Sequence, residues 1–294
     1  MRILITGGGG FLAGHLLAQL QTIPGIEARS LTRAECDLSG DKERLFSVLR
    51  AFQPARVFHL AGRINGSESE LFRDNQLATR NLLEAVQLLA PAARVVLSST
   101  AAVYGCGGSA EAPLSEDQSV APRGHYAISK YACEQEAGMY ARAGSWVVTA
   151  RISNPVGPNM GSALLCGTLA RQIVGIERGQ SPILFLRDLS PQRDFISAGD
   201  CVRALWQVAE YGTSGAIYNV ASGITTSVGR IVDTYLALAH VRPIEVQCSS
   251  RGNERSSVQE QWISNARLLA LGWRASETLR QAISDQLEAE RRHP

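Results

Sequence analysis

Apolar positions recur along this chain with two periods that take turns from the amino terminus onward. Ile3-Leu4-Ile5 is an apolar run too short for a helix, stopped at once by Thr6 and the glycines 7–10, and it reads as a buried parallel strand. Phe11, Leu12, Leu16, Leu17 and Leu20 then recur at helical spacing. The exchange repeats, with a strand over 26–32 and a helix in which Asp41 caps an apolar side of Leu45, Phe46, Val48, Leu49 and Phe52. A strand at 57–60 runs into a loop at Ala61-Gly62, a long helix over 69–89 turns Leu82, Leu83, Val86 and Leu89 inward, and a strand follows at 94–99. Such alternation predicts an α/β fold, a doubly wound parallel sheet. After Arg151 the pattern changes: turn residues crowd at 153–159, and beyond them helices are expected near 164–178, 200–211 and 227–240. This divides the chain into 1–153 with 194–222, and a smaller, interleaved unit of 154–193 with 223–294. Ligands belong at the carboxyl ends of the strands, between the two parts.

The opening turn has chemistry of its own. Strand, glycine turn and helix set bare N–H groups and a positive helix end against a phosphate. Gly7 permits the tight turn, Gly10 lets a pyrophosphate approach, and Ala13 is the third small position, where helix packs on strand. A flexible glycine loop in another nucleotide-binding protein would share the composition; its place between strand and helix points to a dinucleotide. At the end of the second strand, Thr32-Arg33 stands where an acid would bind the ribose hydroxyls and exclude a 2′-phosphate. Arg33 offers a planar cation instead, which favours NADP(H) over NAD(H). Asp37-Leu38 lies on the loop that passes the adenine.

Composition narrows the classes. The 294 residues are 45% hydrophobic with a formal charge of +2 and no basic block, so neither nucleic acid nor a membrane surface is an expected partner. No run approaches a membrane span, and the N-terminal apolar run is too short for a signal peptide. Cysteines 36, 106, 133, 166, 201 and 248 show no metal-like spacing, which predicts reduced thiols in a cytoplasmic protein and no metal site. Of the 29 basic residues only Lys42 and Lys130 are lysines, so a retained lysine asks what arginine could not do there.

Lys130 has an answer. Tyr126 and Lys130 share one face at i, i+4 on a helix running to about Arg142. A free phenol titrates near ~10. An ammonium about 4 Å away contributes about 4 kcal/mol at an effective dielectric near 20, roughly three pK units downward. Such a phenol can pass a proton to or from an alcohol oxygen while hydride moves at its carbon. Taken alone, a packed tyrosine beside a surface lysine would look the same; Ser98-Ser99-Thr100, ending a strand of the same sheet, supplies a hydroxyl for a substrate oxygen. His59, flanked by apolar residues, reads as a packed strand residue.

With the Thr6-to-His15 turn, Asp37-Leu38, His59-Leu60-Ala61, Asn75, Ser98-Ser99-Thr100, Val103-Tyr104-Gly105, Tyr126 with Lys130, Arg151 with Asn154 and Gly157-Pro158, Arg193-Asp194-Phe195, Tyr218-Asn219-Val220 and Leu271-Gly272-Trp273, the chain resembles an extended short-chain dehydrogenase/reductase of the nucleotide-sugar epimerase/dehydratase/reductase group. The resemblance implies a Rossmann domain with a sugar-nucleotide domain, and Thr100, Tyr126 and Lys130 as the catalytic set. It implies a cofactor site of Gly7, Gly10, Phe11, Leu12, Arg33, Asp37, Leu38, Leu60, Ala61, Gly62 and Ser98 with Tyr126 and Lys130, for NADP(H) or alternatively NAD(H). Substrate, a nucleoside-diphosphate sugar, would meet Thr100, Tyr126, Asn154 and Arg193, and Arg251 with Glu254 are similar to an Arg-x-x-Glu of GDP-4-keto-6-deoxy-D-mannose reductases. Dehydratases of the group carry an acid two places after the catalytic Thr; here Ala102 stands there, after Ala101, which implies reduction of a 4-keto sugar or C4 epimerisation. Ser264 stands where an Asp is expected before the final Leu-Gly-Trp. A 4-ketoreductase is therefore expected, with a 4-epimerase on tightly bound NAD and a non-catalytic dinucleotide sensor as the alternatives. A homodimer built through helices 75–89 and 126–142 is also implied.

Overall fold

Ile3, Leu4 and Ile5 are completely buried, and strand geometry sends them to opposite sides: Ile3 and Ile5 join one apolar cluster and Leu4 another. Phe58 and Val57 divide in the same way, as do Val96 and its neighbours Val95 and Leu97. A sheet apolar on both faces needs helices on both. The computed structural model, describing residues 1–248 and 260–293, has that architecture. Its strands are, in order, Arg2–Thr6 (β1), Glu27–Leu31 (β2), Arg56–His59 (β3), Arg94–Thr100 (β4), Val147–Ile152 (β5), Asn154–Val156 (β6), Ile183–Leu186 (β7), Gln192–Ser197 (β8), Ile217–Val220 (β9), Thr225–Ser227 (β10) and Glu245–Cys248 (β11).

The main sheet is six-stranded and wholly parallel in the order β2-β1-β3-β4-β5-β9. β2 and β3 flank β1 on opposite sides, so the chain reverses direction there and opens a crevice at the carboxyl ends of β1 and β3. Helices Phe11–Gln21 and Ala198–Tyr211 cover one face; Lys42–Phe52, Ala78–Leu89 and Gly124–Arg142 cover the other. Asp41 caps its helix as expected, accepting from Arg44 N at 2.9 Å.

The helix expected over 69–89 is three segments in line: Glu68–Leu71, a π turn at Phe72–Leu77, and Ala78–Leu89. Ser67 and Glu70 start it with a reciprocal capping box. The wide turn carries Asp74 and Asn75, both buried, toward the crevice side of the sheet.

A second core gathers around Leu165–Glu177, Val228–Leu238 and Leu279–Arg292, beside a small sheet in the order β10-β8-β6 and a pair of β11 with β7. The boundary drawn from sequence at 193/194 falls inside β8, while β9 belongs to the main sheet. The chain passes from β5 to β6 across one residue, Ser153. Asp194, fully buried on β8, accepts from Ser153 Oγ at 2.8 Å, Ser222 N at 2.9 Å, Ser222 Oγ at 2.8 Å, Gly223 N at 2.7 Å and Ile224 N at 3.1 Å. One carboxylate therefore fastens two of the three places where the chain crosses between the two sheets, β5 to β6 and β9 to β10.

Candidate active site

At the end of β1 the turn has no room for side chains. Gly7 has φ +76°, and a Cβ on it would stand 2.7 Å from the backbone nitrogen of Ala61. A Cβ on Gly10 would lie 3.0 Å from the Gly7 carbonyl oxygen, which already accepts from Gly10 N at 2.7 Å. The helix Phe11–Gln21 begins on Gly10 with no side-chain cap and no acid in its first turn. Its first N–H groups are left for an acceptor from outside, which suits a pyrophosphate.

Two connected spaces open from this turn. One, of about 280 Å³, is lined by Leu31, Arg33, Asp37, Leu38, Arg63 and Asp74. The other, of about 500 Å³, is lined by Phe11, Leu12, Ser98, Thr100, Tyr126, Lys130, Asn154 and Arg193, with Met160 and Phe195 among its apolar wall. Gly10, Leu60, Ala61 and Gly62 line both, so the glycine cradle sits where the spaces join. A long cleft with a phosphate cradle at its middle fits a dinucleotide. Arg251 and Glu254 lie outside the described residues.

Arg33 does not stand alone at the cofactor end. Its Nη1 donates to Asp74 Oδ2 at 2.7 Å, and its Nη2 reaches Asp74 Oδ1 at 3.2 Å and Asp37 Oδ2 at 3.3 Å. Arg63 and Arg73 also donate to Asp74, at 2.6 and 2.8 Å. Burial would raise the Asp74 carboxyl, but the hydrogen bonds from Arg73, Arg33 and Arg63 hold it well below the usual carboxylate range. The sequence reading missed Arg63 and Asp74. The signal was present, for Asp74 sits one turn before Ala78 and two before Leu82 on a stripe that is otherwise apolar.

The three hydroxyls at the end of β4 have separate duties. Ser98 Oγ donates to His59 O at 2.8 Å, and Ser99 Oγ donates to Glu134 Oε1 at 2.6 Å. Thr100 hydrogen-bonds the Tyr126 hydroxyl across the cavity. Tyr126 and Lys130 project from the helix Gly124–Arg142 into the same cavity, and Lys130 is only 5% exposed. Lys130 Nζ passes close to Gly62, where a Cβ would approach it to 3.8 Å and Asn75 Oδ1 to 3.1 Å. From sequence, the ammonium is expected to depress the phenol. Instead burial dominates and pushes Tyr126 up to about 12, with only the Thr100 hydrogen bond working against it. The tyrosine is thus a proton carrier at neutral pH.

Asn75 ties the loop to the helix Gly124–Arg142: its Oδ1 accepts from Arg63 N at 2.7 Å, and its Nδ2 donates to Ser129 Oγ at 2.8 Å. His59 is a fixed structural group. Thr79 spends its proton on Asn75 O at 2.8 Å, so its oxygen accepts from His59 Nε2–H at 3.0 Å, and Thr6 donates to His59 Nδ1 at 2.7 Å. Burial, with Lys130 adding to it, pushes His59 down to about 3, so the ring stays neutral. Beneath Ser99, Arg151 forms a two-point pair with Glu134, Nε–Oε1 at 3.0 Å and Nη2–Oε2 at 2.8 Å, its guanidinium 4.7 Å from the Tyr104 ring centroid.

Comparison with known proteins agrees with this geometry. Residues 3–221 match the NAD dependent epimerase/dehydratase family. The GDP-6-deoxy-D-mannose reductase of Pseudomonas aeruginosa is 30% identical, over 96% of this chain and 94% of that protein. The structure of RMD from Pseudomonas aeruginosa complexed with NADPH superposes with a TM-score of 0.89 at 28% identity, covering 99% of this chain and 98% of that one. The Thermus thermophilus UDP-glucose 4-epimerase in complex with NAD has a TM-score of 0.86 at 26% identity, covering all of both chains.

Proposed function

The chain belongs to the NAD dependent epimerase/dehydratase family, and from that membership we propose that it is an oxidoreductase that reduces the 4-keto group of a nucleoside-diphosphate 4-keto-6-deoxyhexose, GDP-4-keto-6-deoxymannose-like, with NADP(H). One observation carries this reading. The Tyr126 and Thr100 hydroxyls meet in a cavity that, among the described residues, no carboxylate lines. Reduction of a ketone needs a hydride and one proton; elimination of water also needs a group to move a carbon-bound proton, and Ala102 stands where that group would be.

When bound, the reduced nicotinamide supplies the hydride to C4. Tyr126 gives its phenolic proton to the carbonyl oxygen, and the ketone becomes an alcohol. Thr100 orients that oxygen from the facing strand. Lys130 lies beside the loop at Gly62, where it would reach the nicotinamide ribose and stabilise the phenolate left after proton transfer. Gly7, Gly10, Phe11 and Leu12 would hold the pyrophosphate, Leu60, Ala61, Gly62 and Ser98 would line its path, Asp37 and Leu38 would flank the adenine, and Arg33 would meet the 2′-phosphate. Asn154 and Arg193 face the sugar nucleotide; Asn154 is held by donation to Asp194 O at 2.7 Å.

The test is consumption of NADPH, beside NADH, with GDP-4-keto-6-deoxymannose as substrate. One-for-one oxidation with formation of the alcohol is expected, faster with NADPH. A sugar product formed without net oxidation, from protein that releases NAD on denaturation, would replace the reductase by a 4-epimerase.

Exposed apolar side chains support a homodimer. Leu77 and Leu88 on one helix and Ile128 and Met139 on its neighbour are 38%, 61%, 40% and 52% exposed, and each pair is spaced by about three turns. Two such helix pairs packed together bury this face, and light scattering after size exclusion should give twice the chain mass. None of the six cysteines is in a disulfide, which suits a reducing compartment such as the cytoplasm, and no helix among the described residues is long and apolar enough to cross a membrane.

A further inference from the structure

A single buried carboxylate gathers three guanidinium groups. Asp74, its side chain 6% exposed, receives Arg33, Arg63 and Arg73, and two further carboxylates stand at the rim, Asp37 at 3.3 Å from Arg33 and Glu70 at 3.6 Å from Arg63. Two of the three, Arg33 and Arg63, line the cofactor cleft together with Asp74. Both donate to the same oxygen, Oδ2, at 2.7 and 2.6 Å, which brings the two cations side by side.

The donors left over are as telling as those used. Arg33 turns its two Nη groups to Asp74 in a fork, and among the described residues no hydrogen bond uses its Nε. Arg63 commits only Nε to Asp74, and its Nη1 stands 3.6 Å from Glu70 Oε1, beyond a good hydrogen bond. Each guanidinium is thus gripped on one edge and open on another. A dianionic group placed between the open edges would accept from both.

We propose that Asp74 is a positioning residue for the 2′-phosphate of NADP(H), and that Arg63 is the second cation, beside Arg33, that receives it. This rests on the NADP(H) reading of Arg33. The π turn at Phe72–Leu77 is the device that brings Asp74 to the two arginines. A carboxylate that only fastened a helix to a loop would serve a cofactor with or without the phosphate equally. A positioning carboxylate serves only the phosphorylated one.

The experiment is calorimetric titration of the full chain with 2′,5′-ADP and, separately, with 5′-ADP. The wild type is expected to bind 2′,5′-ADP more tightly. Asp74→Asn, nearly isosteric, should weaken 2′,5′-ADP by about tenfold and 5′-ADP by less than about twofold. Arg63→Gln, at a half-buried position, should act in the same direction and serves if the first variant does not fold. The ratio of KM for NADPH to KM for NADH should rise in step. Equal weakening of both nucleotides, or tighter 2′,5′-ADP binding once Asp74 no longer competes for Arg33, overturns the proposal. Arg33→Gln separates the two layers. If it alone abolishes discrimination while Asp74→Asn and Arg63→Gln keep it, the NADP(H) reading stands and the role given to Asp74 and Arg63 falls. A wild type that does not discriminate at all removes both.

Discussion

Tyr126→Phe lowers kcat for the keto sugar by about 10²–10⁴-fold and leaves NADPH affinity within about threefold. The ring still fills its place on the helix Gly124–Arg142, so only the proton and the hydrogen bond with Thr100 are lost. The pH profile gives the same assignment by another route. Burial pushes this phenol up to about 12, so in the free enzyme the acid form persists from about pH 6 to 9 and kcat/KM for reduction has no alkaline limb from Tyr126 in that range. The reverse reaction needs the phenolate and rises with pH over the same interval. Steady-state rates with titration of NADPH by its fluorescence check the first point. A variant that keeps more than about a tenth of wild-type kcat would move the proton donor elsewhere.

Arg151→Met costs about 3–5 kcal/mol of folding stability, the second large effect. Arg151 and Glu134 have side chains 3% and 2% exposed, and without the guanidinium the carboxylate keeps only the Ser99 hydroxyl as a side-chain donor. Glu134→Gln with Arg151→Met recovers part of the loss, because the stranded charge is gone. Urea unfolding of the single and double variants measures this. A loss under about 1 kcal/mol for Arg151→Met would mean that the pair contributes little net stability. The pair supports Ser99, next to Thr100, so the destabilised protein is also expected to misplace the hydroxyl that faces Tyr126.

Much of this architecture is readable from residues. A three-residue apolar run halted by glycines has few alternatives to a buried strand, and Asp41 announces its helix by being a good cap before an apolar periodicity. Tyr126 and Lys130 are legible because helical spacing is rigid. The π turn is not, since the inward stripe Ala78, Leu82, Val86 reads identically whether one turn before it is wide or regular. Asp74 interrupts that stripe visibly, but its two partners in the cleft, Arg33 and Arg63, come from separate stretches and cannot be paired with it from spacing. The small sheet is illegible because β6 and β10 have three residues each, too few to establish alternation. The sign of the Tyr126 shift fails differently. Distance to an ammonium can be read from spacing, whereas desolvation depends on what the whole fold wraps around the ring.

The Asp194 carboxylate, with five hydrogen bonds to two of the crossings between sheets, has a consequence for how sugars are told apart. A hinge at Ser153 or at Ser222–Ile224 would have to break those bonds and strip partners from a fully buried carboxylate, which is expensive. On the proposed reading, the walls supplied by Asn154 and Arg193 would keep their spacing to Thr100 and Tyr126 whether or not a sugar is present. Selectivity at C4 would then come from congruence with a mould already set. The loss of freedom that a closing enzyme suffers at every turnover would be suffered here once, when the chain folds.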